Sequence, residues 1–206
     1  MKNKNIILVG GGGHARASAD IINNSKTNFN IIGYADIKKI DDMSTYKYLG
    51  TDDVLINYVD SSYFLVTVGQ IKSYSKRKQL FELLVQINAQ VISVSSKNSY
   101  ISSSSKIDSG TIVMHGVIIQ TNVEIGKNCI INDKSLIEHD CRVGDHCHIS
   151  TGAILNGNVI VGNGVFIGSS AVIRNNVTIA DDCVIGMGVI IKHDILKPGT
   201  LIKTNN

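Results

Sequence analysis

From residue 99 to residue 194 the alternation of apolar and polar positions repeats every six residues, sixteen times, with no insertion or deletion. The third position of each unit is aliphatic throughout, from Ile101 and Ile107 through Ile137, Val143 and Ile149 to Ile191. The first position is small or β-branched throughout: Ser, Thr, Val, Cys or Ala. Glycine often follows the third position, as at Gly126, Gly144, Gly162, Gly168 and Gly186. A fixed short period marks a solenoid whose units stack on their neighbours. In a short strand, positions one and three project to one side and position two to the other. The small residue and the large aliphatic therefore fill the interior together, and the second position faces out. Three units close one triangular coil of about 18 residues, so the repeat predicts a parallel β-helix of about five coils.

The outward second positions sort by coil into three faces. One reads Tyr100, Ile118, Leu136, Ile154, Val172, Ile190. A second reads Ile112, Ile130, His148, Phe166, Val184. The third is polar, with Lys106, Glu124, Arg142, Ile160 and Thr178. A lone prism would leave two apolar faces in water, an extent that soluble monomers rarely tolerate. A closed ring of prisms would cover both, by heterologous contacts between copies.

The first part of the chain has a different pattern. Residues 6 to 9 (Ile-Ile-Leu-Val) predict a buried strand, followed by Gly10-Gly11-Gly12-Gly13-His14 and a helix from Ala15 to about Asn23. Further strands are predicted over residues 30–34, 64–68 and 91–92. Ser75 is placed to cap a helix that carries Leu80, Phe81, Leu83, Leu84 and Ile87. Strand and helix alternate, which predicts a small parallel, Rossmann-like α/β domain. The boundary falls at residues 93–98, giving domains 1–95 and 96–206. Serines crowd Ser93 to Ser105, yet Ile101 and Ile107 already keep the repeat. Pro198 and Gly199 end it.

Composition narrows the function classes. Net charge is only +3 and aromatics are 5%, with no basic stripe, so no nucleic-acid partner is expected. Lys76, Arg77 and Lys78 read as the solvated face of a helix. No apolar run approaches the ~20 residues of a membrane span. Met1 to Asn5 precede only a four-residue apolar strand, so no signal peptide is expected and the reading is a cytoplasmic protein. Cys129, Cys141, Cys147 and Cys183 all occupy first, inward positions, where they serve as small core residues. The histidines around them (His139, His146, His148) stand at other positions, so no metal site and no cysteine nucleophile are expected. His115, His146 and His193 read as solvated turn residues.

Two stretches carry chemistry. The first turn fits G-x-G-x-x-A through Gly10, Gly12 and Ala15, a pattern that brings backbone N–H groups and a helix N-terminus against phosphate. Asp36, at the end of the second strand, is placed to meet a ribose or base. Only half a dinucleotide fold fits before the repeats begin, so a mononucleotide or nucleotide-sugar suits the size better than NAD.

These glycines with His14, then Tyr34-Ala35-Asp36, then Ile137-Glu138-His139-Asp140 with His148 nine residues beyond His139, together resemble one family. It is the PglD/NeuD-like group of hexapeptide-repeat acyltransferases: nucleotide-amino-sugar N-acetyltransferases of bacterial glycan synthesis, together with sialic acid O-acetyltransferases. The resemblance covers nearly the whole chain. It implies that the β-helix is left-handed, whereas crossover rules alone would favour the right hand. It implies a homotrimer with active sites shared between subunits. It implies direct acetyl transfer from acetyl-CoA, with no acyl-enzyme, to a nucleotide-linked amino-deoxysugar, most simply a 4-amino-4,6-dideoxyhexose; O-acetylation of a sialic acid or related sugar is the alternative. His139 is then the general base, a role that suits imidazole near neutral pH, and Asp140 strengthens it by charge and hydrogen bonding. Gly11, Gly12, Gly13, His14, Asp36 and Asn132 match positions around the nucleotide sugar. His148, Ser169 and Met187 match acetyl-CoA contacts, the last two stacked one coil apart. One departure leaves the base open: the family commonly has a second acid after Asp36, and here that residue is Ile37.

Overall fold

The computed structural model describes residues 4–25, 29–70 and 73–203; the Met1 start of the chain, used above in the signal-peptide reading, lies outside them. The chain forms two compact units, Met1–Lys97 and Asn98–Asn206.

The first unit is a five-stranded sheet. Its elements are β1 (Lys4–Val9), α1 (Gly13–Asn24), β2 (Phe29–Ala35), β3 (Tyr48–Gly50), β4 (Tyr63–Val66), α2 (Ser75–Gln86) and β5 (Gln90–Val91), with 3₁₀ segments at Asp41–Met43 and Asp52–Tyr58. The order is β3-β2-β1-β4-β5 and every pairing is parallel. In an open parallel sheet of this order, ligands bind beyond the strand C-termini, where β1 leads into α1. β1 is apolar on both faces because it is central: Ile6, Ile7, Leu8 and Val9 are all buried. Ile7, Val9, Phe64, Val66, Leu80 and Leu84 pack into one cluster.

Two expectations here need correction. Ser75 does not cap α2. It is the first helical residue, Tyr74 holds the cap position, and the Ser75 N–H is taken by Ser73 Oγ at 3.1 Å. Arg77 is not on a solvated face: it is 1% exposed, and its Nη1 donates to the carbonyls of Val66 at 3.0 Å and Val68 at 2.7 Å. The guanidinium thus satisfies the carbonyls that β4 leaves beyond its end, and a long aliphatic stem makes such burial feasible. Lys76 and Lys78 do face water, paired with Asp52 and Glu82.

The second unit is a parallel β-helix. Every repeat contributes one two-residue strand, and residues 18 apart pair in register, as Ile118↔Leu136↔Ile154 and Ile130↔His148↔Phe166 do. From Thr111 to Ile185 the first- and third-position side chains are buried, with Ile119, Ile131, Ile137, Ile149, Leu155, Ile167, Ile173 and all four cysteines sealed from solvent. Each such aliphatic contributes about 1.5–3 kcal/mol on burial.

The corners explain the polar half of the repeat. Every sixth position from Gly110 to Gly188 has a left-handed backbone, as at Gly116, Asn122, Asn128, Asp140, Gly152, Asn158 and Gly164. Asn, Asp and Gly visit that region most readily. The fourth-position glycines answer a different need, since the next coil passes directly over them. A Cβ on Gly168 would stand 2.5 Å from the Met187 nitrogen, 2.6 Å from the Gly186 carbonyl carbon and 2.7 Å from the Ile185 carbonyl oxygen.

The expectation of two apolar faces open to water holds for one of them. On the Tyr100 face, Tyr100, Ile118 and Ile190 are exposed. On the His148 face, Ile112, Ile130 and His148 are already buried within the single chain. The Lys106 face is polar, with Glu124 lying 3.9 Å from both Lys106 and Arg142.

Gly168→Ala is therefore expected to lower stability by about 1–3 kcal/mol, the usual range for overpacking, because only backbone lies in the way. A thermal melt showing no loss would contradict this account of the corner glycines.

Candidate active site

The glycine loop divides by function. Gly10 has φ +113, and a Cβ there would sit 2.6 Å from Val68 Cγ2. A Cβ on Gly11 would meet the Tyr34 ring at 2.8 Å. These two glycines serve the packing of β1, β2 and β4, and Thr67 Oγ1 ties the loop down by donating to the Gly10 carbonyl at 2.8 Å. Gly11 was expected at the substrate, but it is buried and gives its N–H to Asp36 Oδ2 at 2.7 Å. Gly12 and Gly13 are exposed: a Cβ on Gly12 meets nothing within 4 Å, and on Gly13 only Arg16 at 3.7 Å. They open α1, whose first turn holds no acid, so its positive end is free to face an anion. His14, half-buried, follows in the same turn.

Asp36 is fully engaged with backbone. Oδ2 accepts from Gly11 and Oδ1 from Ile37, both at 2.7 Å. The carboxylate holds the end of β2 against the glycine loop, and each oxygen keeps a further lone pair for a ligand. Ile37, where the family has a second acid, is exposed.

On the β-helix the expected residues fall into two groups. His139 and Asp140 occupy the fifth and sixth positions of one unit, at the corner where the Tyr100 face turns into the Lys106 face. His139 Nδ1 lies 2.7 Å from Asp140 Oδ2. A carboxylate can only accept, so Nδ1 carries the proton and Nε2 presents its lone pair. Asp140 has the left-handed corner backbone, φ 62. One coil earlier Asn122 Nδ2 donates to the other carboxyl oxygen, Oδ1, at 3.3 Å. These bonds, His139's first and Asn122's second, hold the Asp140 carboxyl below the usual aspartate range. The imidazole is 59% exposed and borders a cleft of about 500 Å³ lined by Glu138, Asn156, Gly157, Asn158, Asn175 and Asn176.

Asn132, His148, Ser169 and Met187 gather at a different corner, where the His148 face turns into the Tyr100 face. Asn132 Nδ2 lies 3.3 Å from His148 Nε2, and the His148 ring meets Phe166 edge-on at 5.2 Å. Ser169 Oγ bonds Ser150 Oγ at 3.0 Å, and the Ser169 carbonyl accepts from Gly188 one coil on. Met187 is exposed just before it. Within one chain, then, the two groups stand on opposite edges of the exposed apolar face. Asn132 sits with His148, at the edge away from His139.

Other groups recede. Burial pushes the Cys141 thiol up to about 11 and raises Cys147 as well, so neither supplies a thiolate near neutral pH. Among the described residues no cluster of three or more His, Cys, Asp or Glu could hold a metal ion. No helix among them is long and apolar enough to cross a membrane. His193 is exposed, whereas His146 is half-buried and bonds Asn128 at 3.0 Å. Sequence reasoning missed Asn122, Ser150 and Gly157; each could be found by stepping 18 residues along the repeat from Asp140, 19 back from Ser169, or 18 on from His139.

The repeat and its sheets make this chain a hexapeptide-repeat β-helix protein. Residues 5–84 match the PglD N-terminal domain, and residues 122–157 and 158–193 match the bacterial transferase hexapeptide of six repeats. Perosamine N-acetyltransferase from Caulobacter crescentus, solved as a mutant with CoA and GDP-perosamine, is 26% identical with a TM-score of 0.88, over 97% of this chain and 93% of that one. The acetyltransferase domain of PglB from Neisseria gonorrhoeae FA1090, solved alone and with acetyl coenzyme A, shares the fold at 24% identity and a TM-score of 0.90, over 98% and 97%. WeeI from Acinetobacter baumannii AYE shares it at 20% identity and 0.69, over 94% and 97%. The chain belongs to the PglD/NeuD-like family.

Asp140 supplies a direct check on the site. A carboxyl held low when folded contributes stability above its unfolded pKa and loses it as pH falls through the folded value. Carboxyl NMR titration should find Asp140 below the usual range. His139→Ala should move it up the most, and Asn122→Ala by less. An unmoved titration in both variants would refute the hydrogen-bond geometry.

Proposed function

We propose that the protein is an acetyl-CoA-dependent N-acetyltransferase acting on the amino group of a nucleotide-linked amino-deoxysugar, in bacterial surface-glycan synthesis. The observation that carries this is the His139–Asp140 pair at 2.7 Å, its ring bordering an open cleft, in a chain related to an enzyme solved with CoA and GDP-perosamine. The sugar amine attacks the thioester carbonyl of acetyl-CoA. His139 Nε2 takes the proton the amine releases, and coenzyme A leaves as its thiolate. Asp140 fixes the tautomer and offsets the charge of the imidazolium. Transfer is direct; the buried cysteines favour this over an acyl-enzyme. A 4-amino-4,6-dideoxyhexose is the acceptor the family resemblance favours. The turn at Gly12, Gly13 and His14, with Asp36 behind it, would take the nucleotide part of the acceptor. His148, Ser169 and Met187 would follow the pantetheine arm of the coenzyme, and Asn132 would hold His148. The protein is read as cytoplasmic, where acetyl-CoA is available.

The separation of the two groups supports a shared site. A closed homotrimer would lay the exposed Tyr100 face of one prism against its neighbour and bring the His139 edge of one copy to the His148 edge of the next. O-acetylation of a sialic acid or related sugar remains the second reading, since the same base could serve a hydroxyl.

Two measurements test the reaction. Mass spectrometry of products from acetyl-CoA and a panel of nucleotide amino sugars should show an N-acetylated sugar; acetyl on a hydroxyl alone would favour the second reading. His139→Ala should cut turnover by roughly 10²–10⁴-fold, and near-normal turnover would remove His139 from the mechanism.

A further inference from the structure

The glycines of the repeat fall into two classes, with one exception. At the fourth position Gly126, Gly144, Gly162 and Gly168 lie under the backbone of the next coil. Sixth-position glycines take the left-handed corner, as at Gly116, Gly152, Gly164 and Gly188. Gly157 stands alone at a fifth position. Its φ is not among the positive ones, and no backbone of another coil crowds it. What lies over it is the imidazole of His139, the residue one coil earlier in the same column. A Cβ at Gly157 would stand 2.7 Å from both Cε1 and Nε2, and 3.4 Å from Cδ2.

We propose that Gly157 is a positioning residue: its missing side chain is the space in which the His139 ring lies, and so sets where Nε2 points. This rests on the reading of His139 as the base. The ring is gripped from two directions. Asp140 holds Nδ1 at 2.7 Å, and the bare Cα of Gly157 lets the Nε2 edge settle against the coil beneath. The backbone on both sides is pinned: Asn158 N–H donates to the His139 carbonyl at 2.9 Å, and Asn176 N–H to the Gly157 carbonyl at 3.0 Å. An added methyl therefore cannot move the coil. It moves the imidazole, which turns about its own side-chain bonds and lies 59% exposed. The fold bears little of the strain, and the reacting nitrogen bears most of it. This is the reverse of Gly168, where a Cβ meets only backbone.

The test uses Gly157→Ala in the full chain, with Gly168→Ala as the structural control. Gly157→Ala should melt with the unaltered protein. Its kcat should fall by about 10- to 100-fold, the scale of a misplacement near 1 Å, while KM for both substrates stays within about twofold. In a His139→Ala background the same change should add no further loss, because the two act through one group. A readout free of turnover is the ring itself: the His139 imidazole signals in ¹⁵N-histidine NMR, assigned by their absence from His139→Ala, should shift in Gly157→Ala. Unmoved ring signals, a melt as depressed as that of Gly168→Ala, or an equal further loss in the His139→Ala background would each overturn the proposal. Full turnover in His139→Ala alone would overturn the base assignment, a distinct result read in a different protein.

Discussion

The second unit rests on one constraint: the backbone of each strand is held by hydrogen bonds to residues about one coil away. Leu136 N–H bonds the Ala153 carbonyl at 2.9 Å, Ile154 the Ala171 carbonyl at 2.8 Å, and Val172 the Val189 carbonyl at 2.9 Å. No loop interrupts the ladder between Tyr100 and Ile191. Side chains at one position therefore form straight columns at the inter-strand spacing of about 4.8 Å. A column tolerates only what its neighbours leave room for. That is why aliphatics fill the third column, why cysteine suits the first, and why glycine recurs in the fourth.

The same constraint prepares the chemistry. His139 is on a corner, where side chains reach solvent, yet its carbonyl and its neighbours are locked into the ladder. The pair with Asp140 needs no burial to be ordered, since Asn122 holds the carboxylate from the coil before. The first unit works differently. Its loop is shaped by two glycines that pack and two that face outward, and Asp36 ties strand to loop with both oxygens. A turn of this kind leaves backbone N–H groups and the end of α1 for an anionic ligand. The two groups on the β-helix lie at opposite edges of an exposed apolar face, which is the feature that makes a second copy part of the reading.

How much was legible before the fold was seen depended on repetition. The β-helix could be read because each inward position recurs sixteen times, so noise at one unit is corrected by the others. The central strands and both helices of the first unit could be read from apolar runs, but β3 could not: Tyr48-Leu49-Gly50 is too short to show a period. Arg77 was misread because charge is local in sequence, whereas the carbonyls it bonds come from the end of β4 and just beyond it. The burial of Ile112 and Ile130 was missed for a similar reason, as outward position in a repeat does not mean exposure in a chain. The His139–Asp140 pair was visible as neighbours, while Asn122 and Gly157 needed the coil length to bring them alongside.

The central claim is that two copies of the chain share each active site, and mixing defective chains tests it most directly. His139→Ala damages one edge of the Tyr100 face and His148→Ala the other, so each variant alone should be nearly inactive. In mixed trimers assembled at random from equal amounts, roughly a quarter of the sites join two undamaged edges. Co-assembly of the two variants should therefore restore turnover well above that of either alone. A mixture no more active than its components would place both groups' work within one chain and contradict the account.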